Sequence, residues 1–157
     1  MQDIYFTPYR VSTITCNADL GSKVSLNLAL LFDQFTISDT DGSFIWIQYL
    51  KDDIENTRGV YPKRRRKSKS TQTKKCKFDN QITVIYKHNN ECMPNVKIFR
   101  NGNIQLTGIR DVNLPCEIGN KIIEDIKRIY EADKDILSLS TSGALEPEDP
   151  RSRLCYQ

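Results

Sequence analysis

Histidine is almost missing from this chain: His88 is the single one among 157 residues. It falls in a polar stretch beside Asn89 and Asn90, where a solvated loop histidine is the simple reading. Mechanisms built on a histidine relay or on paired histidine ligands find little material here. Glycine is scarce too, at seven residues, and no glycine-rich phosphate loop, nucleophile elbow or metal-binding helix motif occurs. The acidic pairs Asp52-Asp53 and Asp39 with Asp41 lie in stretches that read as loops, where solvation explains them. The expectation is a protein that is not an enzyme and carries no cofactor or metal. No apolar run approaches the roughly 18 residues that span a bilayer, so no membrane role is expected. The opening MQDIYFTPYR lacks a charged start followed by an apolar region, so a signal peptide is not expected and an intracellular setting is.

The five cysteines are odd in number, widely spaced and include no C-x-x-C pair. Reduced thiols in a reducing compartment fit that pattern. A zinc set of Cys76, His88, Cys92 and Cys116 matches no ligand spacing.

What is present suits one domain with a feasible core, at 38% hydrophobic and 27% charged residues. The net charge of +3 conceals an asymmetry. Residues 63–77 carry nine basic side chains and no acidic one, and without those nine the chain stands at −6. Lys63, Arg64, Arg65, Arg66 and Lys67 head this run. Such a run neutralises phosphates and gives salt-dependent affinity for nucleic acid; it equally fits a solvated loop or a nuclear-import signal.

Residues 11–17 alternate and are β-branched, which predicts a strand. Residues 24–35 are rich in leucine and predict a helix, capped by Ser22 or Ser25. Residues 43–50 predict a strand, with Trp46 a core residue. Residues 52–77 read as an insertion loop, 81–87 as a strand, and 88–95 as a turn region. In residues 96–110, two β-rich runs flank Asn101-Gly102, a strong hairpin signal. Ile98, Ile104 and Leu106 then face a core, while Lys97, Phe99, Gln105 and Thr107 face away. Ile118, Ile122, Ile126 and Ile129, with Ile123 and Tyr130 alongside, recur at helical spacing after Pro115 and predict a long helix ending near Asp133. Residues 137–157 read as a linker. The order predicts an α+β fold: an antiparallel sheet with helices on one face and the other face uncovered.

Residues 98–108 resemble the hairpin of the TATA-box-binding protein family, whose pattern is I-F-x-S-G-K-x-x-x-T-G. Ile98, Phe99, Gly102, Thr107 and Gly108 match in place; Asn101 and Asn103 replace the Ser and the Lys. Ser12-Thr13-Ile14-Thr15 is similar to the first-strand A-T-V-T, Leu20-Gly21 to the L-G before the first helix, and Val84-Ile85-Tyr86-Lys87 to V-I-M-R. The resemblance implies a single repeat, residues 1–136, with a curved sheet whose open face meets the minor groove of promoter DNA. It implies Phe99 as an intercalating wedge, Val11 and Thr107 on the groove floor, and Thr13, Lys97 and Gln105 on the same surface. Gln105 stands where the family has an apolar floor residue, Tyr9 near a groove-reading Asn, and Phe78 nearest a second wedge. The insertion is more like that of the divergent TATA-binding-like proteins of large cytoplasmic DNA viruses. General transcription factors or RNA polymerase are the implied protein partners, in a nucleus or a cytoplasmic viral factory. Family members carry two repeats; the apolar Leu154-Cys155-Tyr156 prompts the expectation of a second repeat, or of a second copy pairing in its place. A protein-interaction module with little DNA affinity is the other reading, and an aromatic sheet face stacking on single-stranded RNA a third.

Overall fold

The computed structural model describes residues 12–21, 23–62 and 79–139. The elements run β1 (Ile14–Asp19), β2 (Val24–Leu26), α1 (Leu28–Gln34), β3 (Ser43–Lys51), β4 (Ile54–Gly59), β5 (Gln81–Lys87), β6 (Asn95–Phe99), β7 (Asn103–Ile109), α2 (Leu114–Ala132), a 3-10 turn (Lys134–Ile136) and β8 (Leu137–Leu139). Six strands form one unclosed, curved antiparallel sheet in the order β1-β7-β6-β5-β3-β4, and β2 pairs with β8 in a small second sheet. The expected α+β architecture is the one observed.

Both helices pack on one face. The core joins Leu28, Leu31 and Phe35 of the α1 region to Ile118, Ile122 and Ile129 of α2, over Ile82, Val84, Val96, Ile98 and Leu106 of the sheet. α2 buries the predicted stripe, whereas Ile123 and Tyr130 stand 37% and 41% exposed. Two bulges reset the alternation. β7 carries an extra residue against β1, accommodated at Gly108 with φ +79°, so that Leu106 and Ile109 both face the core. β3 carries an extra residue between Phe44 and Trp46. Phe44, Ile47 and Tyr49 therefore face the helices, while Ile45 and Trp46 join Ile85 in a separate cluster beside Met93.

Several expectations are corrected. Residues 24–35 are not one helix: β2 comes first, and Asn27, not Ser22 or Ser25, caps α1 by accepting a bond from the Leu30 amide at 3.2 Å. An Asn is a poor helix interior residue and a good cap, because its side chain competes for backbone donors. The first strand begins at Ile14 rather than residue 11 as far as the described residues go. The expected loop of residues 52–77 opens with β4. Asp52 and Asp53 make the two-residue turn into it, with φ +51° and +60° between the paired Lys51 and Ile54. The first residues of the expected linker form β8 instead. Basic residues 63–77 lie outside the described residues.

Two polar clusters fix the helix layer. Arg58, on β4, donates to the carbonyls of Phe32 at 2.7 Å, Asp33 and Phe35, satisfying the open C-terminal end of α1. Asp125 is 8% exposed and accepts from the Thr36 amide and hydroxyl, both at 2.7 Å, and from Arg128 at 2.9 Å. A buried carboxylate is tolerated there because every bond is charge-assisted.

Candidate nucleic-acid interface

The hairpin of β6 and β7 closes through Arg100, Asn101 and Gly102 rather than a two-residue turn. Only Gly102 takes positive φ, at +84°, and its amide donates to the Phe99 carbonyl at 3.0 Å. This is the three-residue hairpin with a left-handed glycine. The tip is also pinned: Leu20 donates to the Gly102 carbonyl at 3.1 Å, and a Cβ at 102 would lie 3.4 Å from that of Leu20.

Pinning the hairpin fixes its faces. Val96, Ile98, Ile104 and Leu106 are buried beneath the helices. Lys97, Phe99, Gln105 and Thr107 alternate onto the opposite side and are half-buried there. Phe99 pairs with Gln81 and separates two clefts, one lined by Asn17, Asp19, Asn103 and Gln105 and the other by Val24, Ser25, Asn80 and Asn101. Thr107 lies beside the Asn95 backbone, its hydroxyl 3.5 Å from that carbonyl. Thr13 is exposed just ahead of β1. Val11, Lys63, Arg64, Arg65, Arg66 and Lys67 fall outside the described residues, as do Tyr9 and Phe78.

The open face thus gathers four of the predicted residues from two adjacent strands. It also carries residues the sequence reading did not single out for it. Trp46 sits on this side, nearly covered, with Tyr61 packed edge-on at 4.9 Å and 79°. Tyr61 is 51% exposed. The signal was present in residues 45–47, where consecutive apolar residues require that one face something other than the main core. Asn17, Thr83 and Gln48 are also on this face, in register with Gln105 and Lys97.

Elsewhere, ionisable groups serve structure. The Tyr86 hydroxyl donates to Glu117 at 2.5 Å, and burial first, then that bond and the carboxylate charge, push the phenol far above its ordinary range. Lys87 pairs with Asp41 at 3.1 Å and lies 3.9 Å from Asp39. His88, Cys92 and Cys116 belong to no group of three or more metal-binding side chains among the described residues. No helix among them is long and apolar enough to cross a membrane.

Among the described residues, then, the sheet is covered by helices on one side only, and its other side presents a pinned hairpin with polar and aromatic side chains. The chain is similar to a protein of Acanthamoeba polyphaga mimivirus described as TATA-box-binding protein-like. The two are 27% identical over 133 residues, covering 80% of this chain and 33% of the relative. This likeness supports the relationship read from the hairpin. The chain spans about a third of the length of that relative. No family model and no solved structure matches the chain.

Proposed function

We propose that this chain is a non-enzymatic DNA-binding module of transcription initiation, which meets the minor groove of promoter DNA with its open sheet face. The observation that carries the reading is the half-buried Phe99 on a face that no helix of the described residues covers, with Lys97, Gln105 and Thr107 beside it. A wedge at Phe99 kinks the duplex, at the cost of unstacking one base step, and lets the sheet follow the widened groove. Thr13, Val11 and Thr107 line the same contact. Lys63, Arg64, Arg65, Arg66 and Lys67 supply positive charge that neutralises phosphates. The description of the mimivirus relative favours this reading. The setting is intracellular, in a nucleus or a viral factory, with the polymerase or general factors and a second repeat or second copy as partners.

Binding of the chain to TATA-containing duplex across a salt series tests this. Phe99→Ala should weaken binding at least about tenfold, as for loss of an interface anchor worth about 1.4 kcal/mol or more. Replacing the five basic residues by Gln should flatten the salt dependence, by about 0.9 in slope for each phosphate left without its cation. Unchanged binding in both variants would sink the proposal.

A second reading, a module that recruits transcription proteins and binds DNA weakly, is favoured by one observation. Val112, Ile123 and Tyr130 are 73%, 37% and 41% exposed on or just before α2, on the side away from the open face. Retained binding to a transcription protein without duplex binding would support it.

A further inference from the structure

We propose that the outer edge of β4 is a self-pairing surface: a second copy of this chain adds its own β4 there, antiparallel, across a two-fold axis at Thr57. This contact is independent of duplex binding and uses the edge of the sheet rather than its open face. A second copy is the occupant because the strand is complementary to itself in that register.

β4 ends the six-stranded sheet, and among the described residues no strand pairs with its outer side. The direction of its main chain follows from its bonds to β3. Val60 donates to the Ile45 carbonyl at 2.9 Å, and Asp52 and Asp53 form a two-residue turn between the paired Lys51 and Ile54. Backbone groups alternate in direction along an antiparallel strand. Those of Ile54, Asn56 and Arg58 are therefore turned to β3, and those of Glu55 and Thr57 point outward. Edges of this kind are commonly guarded by lysine, proline or a bulge. Residues 54–59 contain no lysine and no proline, and the β3–β4 register is unbroken. Their two charges are turned to their own chain, Arg58 to the carbonyls that end α1 and Glu55 to the Gln48 amide. Three large apolar side chains stand exposed here: Ile54 at 65%, Val60 at 60% and Tyr61 at 51%.

A two-fold axis at Thr57 sets Thr57 opposite its own copy, Asn56 opposite Arg58, Glu55 opposite Gly59 and Ile54 opposite Val60. The outward backbone groups of the two Thr57 residues then meet, as a hydrogen-bonded antiparallel pair requires. Each exposed isoleucine gains an exposed valine, at both ends of the joint, and no like charges face each other. Other centres lack this match. An axis at Glu55 or Arg58 opposes that charge to itself, and an axis at Asn56 sets Ile54 against Arg58. The contact is isologous and closes after two copies. It joins two six-stranded sheets into one, with both open faces on the same side. The joint is short, about 20 Å. Gly59, at φ +86°, ends the strand there. So small a contact makes a concentration-dependent dimer rather than an obligate one.

Sedimentation velocity of the full chain, from about 1 to about 500 µM, tests this: the average mass should climb from one copy toward two. Thr57→Pro removes an N–H that points away from β3. It should leave the β3–β4 ladder and the melting temperature in place and weaken association at least about tenfold. Ile54→Lys with Val60→Lys, which opposes like charges at both ends of the joint, should do the same without altering the backbone. Mild oxidation of Thr57→Cys should link two copies through residue 57, read by peptide mapping with mass spectrometry. A chain that stays single at every concentration overturns the proposal, and leaves the edge to another protein's strand or to none. A dimer that both Thr57→Pro and the double lysine substitution leave intact overturns it too, by placing the contact elsewhere. Either result leaves the duplex reading standing.

Discussion

Ile98 and Phe99 are neighbours on β6, yet they belong to different worlds. Ile98 is fully buried under two helices, among aliphatic residues. Phe99 stands on the other side between two clefts lined largely by polar groups. The same split runs along the sheet. On the covered face, the buried Asp125 and the half-buried Arg58 find multiple partners, and the apolar side chains interlock. On the open face, Lys97, Gln105 and Thr107 project from the strands with few partners of their own. The covered face uses its groups on one another, and the open face keeps its groups for something else. In the proposed function, that difference gives stability to one side and recognition to the other.

The contrast can be broken most sharply at adjacent residues. Ile98→Ala should cost about 2–5 kcal/mol of stability, the range for emptying a filled core site. Lys97→Ala, one residue away, should stay within about 0.5 kcal/mol. Urea denaturation of both variants checks this, and equal losses would erase the distinction between faces. Asp125→Ala comes next, at about 2 kcal/mol, because it strands the Thr36 amide and loosens Arg128 together. Tyr86→Phe removes a bond to Glu117 and should cost about 1 kcal/mol near neutral pH. Its alkaline behaviour is more telling. The folded phenol titrates above the unfolded one, so the folded state holds its proton longer and stability falls as pH rises past about 10. Tyr86→Phe should lose less stability over that interval, as read by melting temperature against pH. Smallest is Asp53→Gly, which relieves a positive φ in the β3–β4 turn and should add about 0.5 kcal/mol.

Much of this contrast was legible in the sequence, for definite reasons. Strict alternation from Val96 to Thr107 around Asn101-Gly102 gives the faces of the hairpin, and the isoleucine spacing gives α2 with its buried stripe. β4 was not legible. It is an edge strand whose open side is polar, and its covered side is filled by Arg58, whose charge is directed to the carbonyls ending α1. Such a strand shows no apolar period. β2 was hidden by leucines that continue across Asn27, and β8 by its three-residue length.

If the two faces divide the work in this way, DNA meets the open face and not the helix layer. Side-chain amide and methyl signals, followed by NMR while a TATA-containing duplex is added, test this directly. Large shifts are expected at the Gln48 and Gln105 amides and the Thr83 and Thr107 methyls, with the methyls of Ile118, Ile122 and Ile129 unmoved. Shifts confined to α2, with those four side chains unchanged, would contradict it.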